Sequence, residues 1–460
     1  MNDLIIAKFG GTSMGTAEAM RQSARIVIAN NRIRVVVVSA TSGTTNALLK
    51  VYHDLCACDT VSADQALKKI EDRHRTMCHA LELDSSAVDE LIVAAQNHMS
   101  LFSASENREV WLDAWLSFGE RLASRIFGKM LFHLKNNVTE ADARSFIITD
   151  EVFGKAEPQP DLLKTACLKK LLPLCGEQVI VTQGFIGATT DGRTTTLGRG
   201  GSDYSAALLG EALSAKEVLI WTDVPGIFTM DPNLVPAAQT IPKISFSEAA
   251  ELANFGAKVL HPATLWPAIR KGIHVFVGST FEPEAGGTWI EPDVNDKPLV
   301  RAIAMRKHQT LITVSSLRML NTHGFLAKMF GVLADHKLSV DLVTTSEVSV
   351  ALTIDGTSLG SSGEKISEKQ ELLRDLRRFA DVAIEENLTL IALVGNNLQQ
   401  TPGIAARTFD AIAGLNVRLI CQGASSYNMC FLMHQSDAPQ AVSALHRAFI
   451  ESEVVCLKSA

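Results

Sequence analysis

The sequence predicts an α/β protein: a mostly parallel sheet sandwiched by helices, followed by two smaller βαββαβ modules. Over residues 1–296, short apolar runs alternate with long helical patterns. This alternation is typical of a parallel sheet covered on both sides. Beyond a polar stretch at residues 291–298, which contains two prolines, one pattern of helices and strands occurs twice. We therefore place a domain boundary in that stretch.

The strands of the first part are expected where short runs are continuously apolar. Residues 4–7 and 33–40 lack the alternation of a half-exposed strand, which favours central positions in a parallel sheet. Further strands are expected at residues 145–149, 178–182, 218–221 and 274–277. Helical periodicity covers residues 62–105, 110–134, 204–213 and 246–255.

The repeat in the second part is marked by glycines that open helices. Gly324 and Gly403 stand 79 positions apart, and Phe330 and Phe409 match at the same offset. Strands are expected at 301–305, 310–314, 339–343, 348–354, 388–394, 416–420 and 428–433, and later helices at 366–379 and 438–449. The alternative is a coincidence between two α/β segments, but the number of matched features favours a duplicated module.

Composition and charge exclude several classes of protein. With 460 residues, of which 47% are hydrophobic, the chain can bury a large core in two or three domains. The formal net charge of -7 argues against a nucleic-acid-binding protein. We expect a cytoplasmic protein with no membrane partner, because no leader opens the chain and its apolar runs are too short to span a bilayer. Cys56 and Cys58 lack a second ligand pair at zinc spacing, so we predict no metal site built by the chain itself.

Two glycine-rich segments suggest phosphate binding. Residues 8–13 (KFGGTS) follow the first strand, where paired glycines expose backbone N–H groups and Lys8 supplies a cation. Residues 194–203 (TTTLGRGGSD) precede a helix, whose N-terminus is an anion site. The alternatives are an ordinary tight turn at the first segment and a simple N-cap role for Ser202 or Asp203. Capping does not explain Arg199 between glycines.

A third and a fourth segment add polar groups. Residues 221–226 (WTDVPG) end a predicted strand, and ligands bind at such ends in open α/β sheets. Gly256 is a plausible C-cap after the helix at 246–255, and Lys258 follows it. Taken alone, Lys258 is more typical of a surface lysine.

Together these segments resemble the amino acid kinase family, and within it the aspartokinases. The motifs are residues 8–13, 195–203, 221–226 and 255–262 (FGAKVLHP), in the family's order and approximate spacing. The resemblance implies an amino acid kinase fold for residues 1–296 and paired ferredoxin-like ACT modules beyond it. In the family the first ACT module is inserted into the second. We therefore expect the first at 316–386 and the second at 300–315 plus 387–460.

The resemblance also implies roles for individual residues. Lys8 and Asp203 are the implied catalytic residues, beside the ATP phosphates. The residues implied for ATP are Lys8, Gly10, Gly11, Thr222, Asp223, Phe228 and Lys258. The residues implied for L-aspartate are Ser39, Thr45, Glu120, Arg199 and Ser202.

The chemistry of the substrate supports this division. Glu120 can accept the aspartate ammonium, Arg199 can hold a carboxylate through two parallel hydrogen bonds, and Thr45 lies in a predicted polar loop. The alternative for Glu120 is a helical salt bridge with Arg125. The aspartate side-chain carboxylate is itself the nucleophile, so the reaction needs no covalent intermediate with the protein. Mg²⁺ is expected to arrive with ATP.

The implied product is L-aspartyl 4-phosphate, the first intermediate of lysine, threonine and methionine biosynthesis. Two positions depart from the family pattern. Asn233 follows Asp231-Pro232 where relatives commonly have Arg, and Phe228 stands where close relatives often have Tyr. The first change puts a cationic nucleotide contact in doubt, and the second removes a hydroxyl.

The repeated modules resemble the lysine-sensitive class, which implies L-lysine as a feedback inhibitor. The matching positions are Met319, Thr322, Gly324, Phe325, Leu326, Ser339, Val340, Asp341, Ser346 and Glu347. ACT modules that pair edge to edge imply a homodimer, with a tetramer as the alternative. One competing interpretation is a catalytically silent amino-acid sensor. Another is a dinucleotide-dependent dehydrogenase, which requires a G-x-G-x-x-G motif that the first loop lacks.

Overall fold

The computed structural model describes residues 3–103, 105–256, 262–320, 323–355 and 363–452. These residues divide into two compact units. The first comprises the described parts of 1–227, 240–250 and 258–294. The second comprises 228–239, 251–256 and the described residues from 295 onward. Lys258 and Thr322, both predicted site residues, lie outside the described residues.

The first unit contains a large sheet and a short two-stranded ribbon. The strands are β1 (Ile5–Phe9), β2 (Ile33–Val38), β3 (Val138–Ala141), β4 (Val179–Gln183), β5 (Ile186–Ala188), β6 (Thr194–Thr196), β7 (Glu217–Thr222), β8 (Lys243–Ser245), β9 (His274–Ser279) and β10 (Gly287–Glu291). Within the described residues, eight strands form the large sheet in the order β3-β4-β2-β1-β7-β9-β10-β8, while β5 and β6 pair separately.

The large sheet is mostly parallel, as predicted. Its strands are parallel from β3 to β9, while β10 and β8 are parallel to each other and run antiparallel to the rest. Every residue of β1 and β4 is buried, which explains their continuous apolar runs. The carboxyl ends of β4, β2, β1 and β7 therefore meet at one edge of the sheet.

The helices of the first unit pack around this sheet. They are α1 (Ala17–Ala29), α2 (Thr44–Cys56), α3 (Thr60–Ala80), α4 (Ser86–Ser100), α5 (Arg108–Lys135), α6 (Pro160–Lys170), α7 (Gly201–Leu213), α8 (Phe246–Asn254) and α9 (Pro262–Lys271). Of these, α8 begins in the first unit, and its residues from Glu251 onward belong to the second. The core joins buried residues of α5, such as Trp115 and Phe127, to those of β1 and β2. No helix in the described part of the chain has the length and apolar character that crossing a membrane requires.

The helical pattern predicted at 62–105 is confirmed but divided, and one strand prediction for this unit was wrong. The pattern at 62–105 is two helices, α3 and α4, because the chain turns at Leu81 and Glu82, and Glu82 has a φ of 59°. The strand predicted at 145–149 is instead the end of a 3₁₀ turn, Ala143–Ser145, followed by two isolated bridges, from Ile148 to Ala188 and from Thr149 to Pro158. Phe146 and Ile147 are buried, but the ribbon that the segment meets contains strands of only three residues.

The second unit is built on one antiparallel sheet. Its strands are β11 (Val300–Ser315), β12 (Leu342–Thr345), β13 (Ser349–Asp355), β14 (Asp381–Gly395), β15 (Val417–Gln422) and β16 (Asn428–His434). Its helices are α10 (Phe325–Asp335), α11 (Gly363–Arg377), α12 (Ile404–Ala411) and α13 (Ala438–His446). The strand order is β12-β13-β11-β14-β16-β15.

Two βαββαβ modules share the long strands β11 and β14. Residues 309–315 of β11 pair with β13, whereas residues 388–394 of β14 pair with β16. The first half has the strand order fourth, first, third, second, as β14-β11-β13-β12. In the second half, β11-β14-β16-β15, the strand that comes first in the chain takes the place of the fourth, so the first module is inserted into the second. The pairing shifts register near Gln309, where His308 has a φ of 60°. Each module has its own apolar core.

The pairing places one strand differently from the prediction. We expected 300–315 to belong wholly to the second module, but residues 309–315 hydrogen-bond into the sheet of the first. The strands predicted at 301–305 and 310–314 are two halves of β11. The strand predicted at 339–343 begins only at Leu342.

Candidate functional site

Lys8 lies at the carboxyl end of β1 and is almost buried, with 7% of its surface exposed. Its Nζ contacts Asp203 Oδ1 at 2.5 Å. The Gly10 N–H donates to the Trp221 carbonyl oxygen at 2.9 Å, and a Cβ at Gly10 would lie 3.5 Å from Lys8 Nζ. Glycine at this position therefore keeps the space beside the ammonium group open, between the ends of β1 and β7.

The partner of Lys8 belongs to the first turn of α7. Gly200, with a φ of 75°, caps this helix without a side-chain hydrogen bond. Ser202 and Asp203 consequently lie inside the helix, and the interpretation of either as an N-cap was wrong. An N-terminus without a capping side chain leaves backbone N–H groups for an anion. Lys8, Asp203 and this helix end are therefore one cluster.

Gly184, which the sequence analysis did not single out, explains how α7 approaches the sheet. It directly follows β4, and a Cβ there would lie 2.6 Å from Ser202 Cβ. Any larger residue would displace either the strand end or the helix. Ser202 itself is half-buried at this junction. The signal in the sequence was a lone glycine after a buried strand, which indicates a close backbone approach.

Glu120 projects from the middle of α5 and is 3% exposed. Its Oε1 accepts a hydrogen bond from the Ala40 N–H at 3.2 Å, while its Oε2 is buried without a hydrogen-bond partner. Burial raises the pKa of Glu120 to about 8. The alternative of a helical salt bridge is contradicted, because Arg125 pairs with Glu140 instead. A buried carboxylate oxygen without a partner is costly unless a ligand supplies a donor.

The segment that follows β2 lies against Glu120. Ser39 donates its N–H to the Phe9 carbonyl oxygen, and Thr44 begins α2. Thr45 is half-buried in the first turn of α2, so the prediction that it lies in a loop was wrong. The helix starts there because Gly43, with a φ of 81°, turns the chain into it. We call residues 39–45, which comprise the connection after β2 and the first two residues of α2, the 39–45 loop.

Arg199 is exposed between two glycines in the left-handed region, Gly198 and Gly200. Among the described residues, no carboxylate lies within ion-pair distance of its guanidinium. Asp113, a residue of α5 that the sequence analysis missed, anchors this segment at Thr196, three residues before Arg199. Asp113 accepts hydrogen bonds from the Thr196 N–H at 2.8 Å and from the Gly154 N–H at 2.9 Å, and burial raises its pKa.

The residues implied for the rest of the nucleotide site are only partly described. At the end of β7, Thr222 Oγ1 donates to Asp223 Oδ1 at 3.0 Å, and Asp223 is exposed. Phe228 is half-buried in the second unit. Asn233, also in the second unit, donates from Nδ2 to Asp231 Oδ1 at 3.0 Å. Its side chain is therefore engaged in its own turn.

The residues implied for lysine lie in the first βαββαβ module. Gly324, with a φ of 83°, caps α10 without a side-chain hydrogen bond, Phe325 is buried, and Leu326 is exposed. Asp341 forms an ion pair with Arg306 of β11. The remaining described positions are the half-buried Met319 and Val340 and the exposed Ser339, Ser346 and Glu347.

No cluster of three or more His, Cys, Asp or Glu side chains arranged to hold a metal ion occurs in the described ranges. The carboxylates nearest the candidate site, Asp203 and Asp223, are single hard donors. They fit a divalent cation that is carried mainly by the phosphates of a nucleotide.

Comparisons with known proteins agree with this geometry. Residues 3–279 match the amino acid kinase family, and residues 312–369 and 391–449 each match the ACT domain. The chain is 44% identical to lysine-sensitive aspartokinase 3 of Escherichia coli K12, over 98% of this chain and 100% of that protein. It is 35% identical to chloroplastic aspartokinase 2 of Arabidopsis thaliana, over 97% of this chain and 84% of that protein.

Solved structures show the same likeness. E. coli aspartokinase III in complex with aspartate and ADP superposes with a TM-score of 0.86 and 43% identity, over 97% of this chain and 99% of that one. The same enzyme in complex with lysine and aspartate gives a TM-score of 0.82 and 44% identity over the same shares.

Proposed function

The chain belongs to the aspartokinases of the amino acid kinase family, and on that premise we propose that it phosphorylates the side-chain carboxylate of L-aspartate with ATP. The product is L-aspartyl 4-phosphate, the first step toward lysine, threonine and methionine. L-Lysine inhibits the reaction as its feedback effector. A cytoplasmic location stays a prediction from the sequence.

The observation that carries the assignment is the pairing of two unlike subsites at one sheet edge. One is cationic and contains Lys8 and the open N-terminus of α7. The other is the unpartnered Oε2 of Glu120, which needs a donor. Phosphate groups fit the first subsite, and the ammonium of an amino acid fits the second.

The ATP phosphates bind at Lys8, Gly10, Gly11 and the first turn of α7, where Lys8 neutralises charge that develops on the transferred group. Thr222, Asp223, Phe228 and Lys258 contact the rest of the nucleotide. Asp203 and Asp223 would contact a Mg²⁺ ion carried by ATP, which would supply neutralisation of the phosphate charge. Asp203 holds Lys8 in position through their 2.5 Å contact.

L-Aspartate binds with its ammonium at Glu120 and a carboxylate at Arg199. Ser39, Thr45 and Ser202 supply neutral hydrogen-bond donors around it. The side-chain carboxylate is ionised at pH 7 and attacks the γ-phosphorus directly, while the bond from that phosphorus to the bridging oxygen breaks and ADP leaves. Catalysis then consists of alignment and charge neutralisation, and no side chain of the protein has to form a covalent bond.

Lysine regulation is assigned to the first ACT module. Gly324 leaves the N-terminus of α10 open to the ligand carboxylate, and Asp341 and Glu347 supply anions for its two ammonium groups. The remaining contacts are Met319, Thr322, Phe325, Leu326, Ser339, Val340 and Ser346. The edge strand β12 has three exposed residues among its four, and we propose that it pairs with a second copy in a homodimer.

The test is a coupled assay of ADP release with L-aspartate, L-glutamate and acetylglutamate as acceptors. Aspartate alone is expected to support turnover. Lys8→Ala is expected to lower kcat by roughly 10²–10³, because one pre-organised charge contact at the phosphates is lost. A protein that binds lysine but releases no ADP with any acceptor would instead be the silent sensor, and near-normal kcat in Lys8→Ala would remove this residue from the mechanism.

A further inference from the structure

His74 is a buried histidine of α3 with no place in the mechanism so far. Its side chain has no exposed surface. Its Nδ1 lies 2.7 Å from the Ile70 carbonyl oxygen, and its Nε2 lies 3.3 Å from Thr41 Oγ1. Thr41 is itself buried and belongs to the 39–45 loop. The histidine is therefore the link between α3 and that loop.

The partners determine which group donates in each hydrogen bond of the series from Ile70 through His74 and Thr41 to Thr44. A carbonyl oxygen can only accept, so His74 Nδ1 carries the proton and Nε2 of the neutral ring is an acceptor. Thr41 must then donate its hydroxyl proton to Nε2. Thr41 Oγ1 lies 2.5 Å from Thr44 Oγ1, so the Thr44 hydroxyl is the donor to Thr41. Burial lowers the pKa of His74 to about 4, which keeps the ring in this neutral form at pH 7.

The same loop is held from its other side by α5. The Ala40 N–H donates to Glu120, and a Cβ at Gly119 would lie 2.9 Å from Ala40 Cβ and 3.6 Å from Thr44 Cγ2. Gly119 thus lets the loop lie directly on α5. The loop that carries Ser39 and Thr45 is therefore held by α3 through His74 and by α5 through Gly119 and Glu120, in addition to the bond from Ser39 to Phe9.

We propose that His74 is a positioning residue for the amino-acid subsite. It accepts a hydrogen bond from the Thr41 hydroxyl and thereby holds the 39–45 loop against Glu120. This inference rests on the proposed function, since it assigns His74 to the aspartate half of that site. The same loop meets the nucleotide half through a backbone bond, in which the Ser42 N–H donates to the Gly11 carbonyl oxygen at 3.0 Å. That bond involves neither the Thr41 nor the His74 side chain, so the larger effect is expected on aspartate. Substitution of a residue that only stabilised the fold would instead change KM for aspartate and KM for ATP alike.

The experiment compares Thr41→Val, which removes the hydroxyl, with Thr41→Ser, which keeps it, and His74→Phe, which keeps a ring without nitrogen. KM for aspartate is expected to rise roughly five- to tenfold in Thr41→Val and His74→Phe, as for the loss of one hydrogen bond. KM for ATP stays within twofold, and Thr41→Ser retains the wild-type KM for aspartate. His79→Gln, an exposed histidine on the same helix, is the matched control.

The double variant Thr41→Val/His74→Phe gives the sharpest result. Because both single changes break the same hydrogen bond, the double variant is expected to raise KM for aspartate no further than either one. Multiplied effects, equal rises in both KM values, or an unchanged KM for aspartate in an active enzyme would each overturn the inference. Should His74→Phe not fold, the Thr41→Val and Thr41→Ser pair decides alone. A wild-type protein without aspartate-dependent ADP release would overturn the proposed function as well.

Discussion

Glu120 contains the buried carboxyl group whose ionisation the fold opposes and whose negative charge the proposed substrate requires. Its pKa of about 8 means that the free protein mostly holds the proton at pH 7. An ammonium beside Oε2 favours the ionised form, so aspartate binding releases that proton. Because burial favours the protonated carboxyl and the substrate favours the ionised one, aspartate binding should depend on pH in a way that binding at an exposed glutamate would not.

The first prediction concerns that dependence. With ATP saturating, kcat/KM for aspartate is expected to rise by up to about tenfold per unit between pH 6 and 8 and then to level off, because kcat/KM reports ionisation of the free enzyme. Glu120→Gln keeps the acceptor for the Ala40 N–H but is expected to flatten the profile and raise KM for aspartate. An unchanged profile in the variant would exclude Glu120 as the titrating group.

The pH dependence of thermal unfolding gives an independent test of the same variant. The folded protein binds a proton at Glu120 that the unfolded chain releases above its ordinary pKa of 4.5, so this contribution is complete below pH 4.5 and is lost as the pH rises through about 8. The loss is at most about 5 kcal/mol at ~1.4 kcal/mol per pKa unit. Between pH 6 and 9, the melting temperature of Glu120→Gln should therefore fall less steeply than that of the wild type.

Arg199 is the second residue whose assignment can be separated from the nucleotide. Lysine at this position keeps the charge but cannot form two parallel hydrogen bonds to a carboxylate. Arg199→Lys is expected to raise KM for aspartate more than KM for ATP in initial-rate assays. Arg193→Lys is the matched control, since Arg193 pairs with Asp191 and Glu151 on the surface of the same segment. A change confined to ATP would contradict the assignment.

At the scale of elements, α5 supports the site at two positions on one face. Glu120 lies under the 39–45 loop, and Asp113, two turns earlier, holds the end of β6 that leads into residues 197–203. Asp113 accepts from two backbone N–H groups and one hydroxyl, with no cation in the arrangement. Its carboxylate thus orders the segment that carries Arg199 and Asp203.

Asp113→Asn is expected to destabilise the first unit by about 2 kcal/mol, because the amide NH₂ would face backbone donors and leave one unsatisfied. Calorimetry should show a lower melting temperature, and kcat/KM should fall for both substrates as residues 197–203 lose their anchor. Asp64→Asn, on the exposed surface of α3, should stay within about 0.5 kcal/mol of the wild type. Equal melting temperatures for the two variants would contradict this role.

The elements also show where sequence patterns suffice. The parallel strands were predictable because burial on both faces leaves a continuous apolar run, as in β1 and β4. The chemistry at their ends was predictable because lysine and paired glycines stand together where β1 ends. The break between α3 and α4 was not, because a positive φ at Glu82 carries no glycine signal.

The supporting residues of the site were hidden for a similar reason. His74 and Asp113 act on residues 33 and 83 positions away along the chain, so no local pattern indicates their partners. The division of β11 between two modules is likewise set by its neighbours, β13 and β14, and not by its own residues. Long-range pairing had to be seen in the structure.

At the scale of the whole molecule, regulation has to connect an effector to an equilibrium between conformations. Lysine inhibits only if it binds more tightly to a conformation that binds substrate or transition state less well. A coupling of roughly 1–3 kcal/mol is enough for strong inhibition. In the first ACT module, Asp341 is paired with Arg306. On the proposed assignment, a lysine ammonium at Asp341 competes with that guanidinium. The exchange gives the effector a specific contact to break.

The last prediction follows from this exchange. L-Lysine is expected to inhibit the initial rate and L-threonine is not, and Asp341→Ala should raise the lysine concentration for half inhibition by roughly 10- to 100-fold. That range corresponds to the 1.5–3 kcal/mol of a hydrogen bond to a charged group. Asp335→Ala, an exposed aspartate at the end of α10, should retain wild-type sensitivity. Inhibition by threonine alone, or undiminished inhibition of Asp341→Ala by lysine, would each defeat the assignment, since an anion at Asp341 is what distinguishes a ligand with two ammonium groups from one with a hydroxyl.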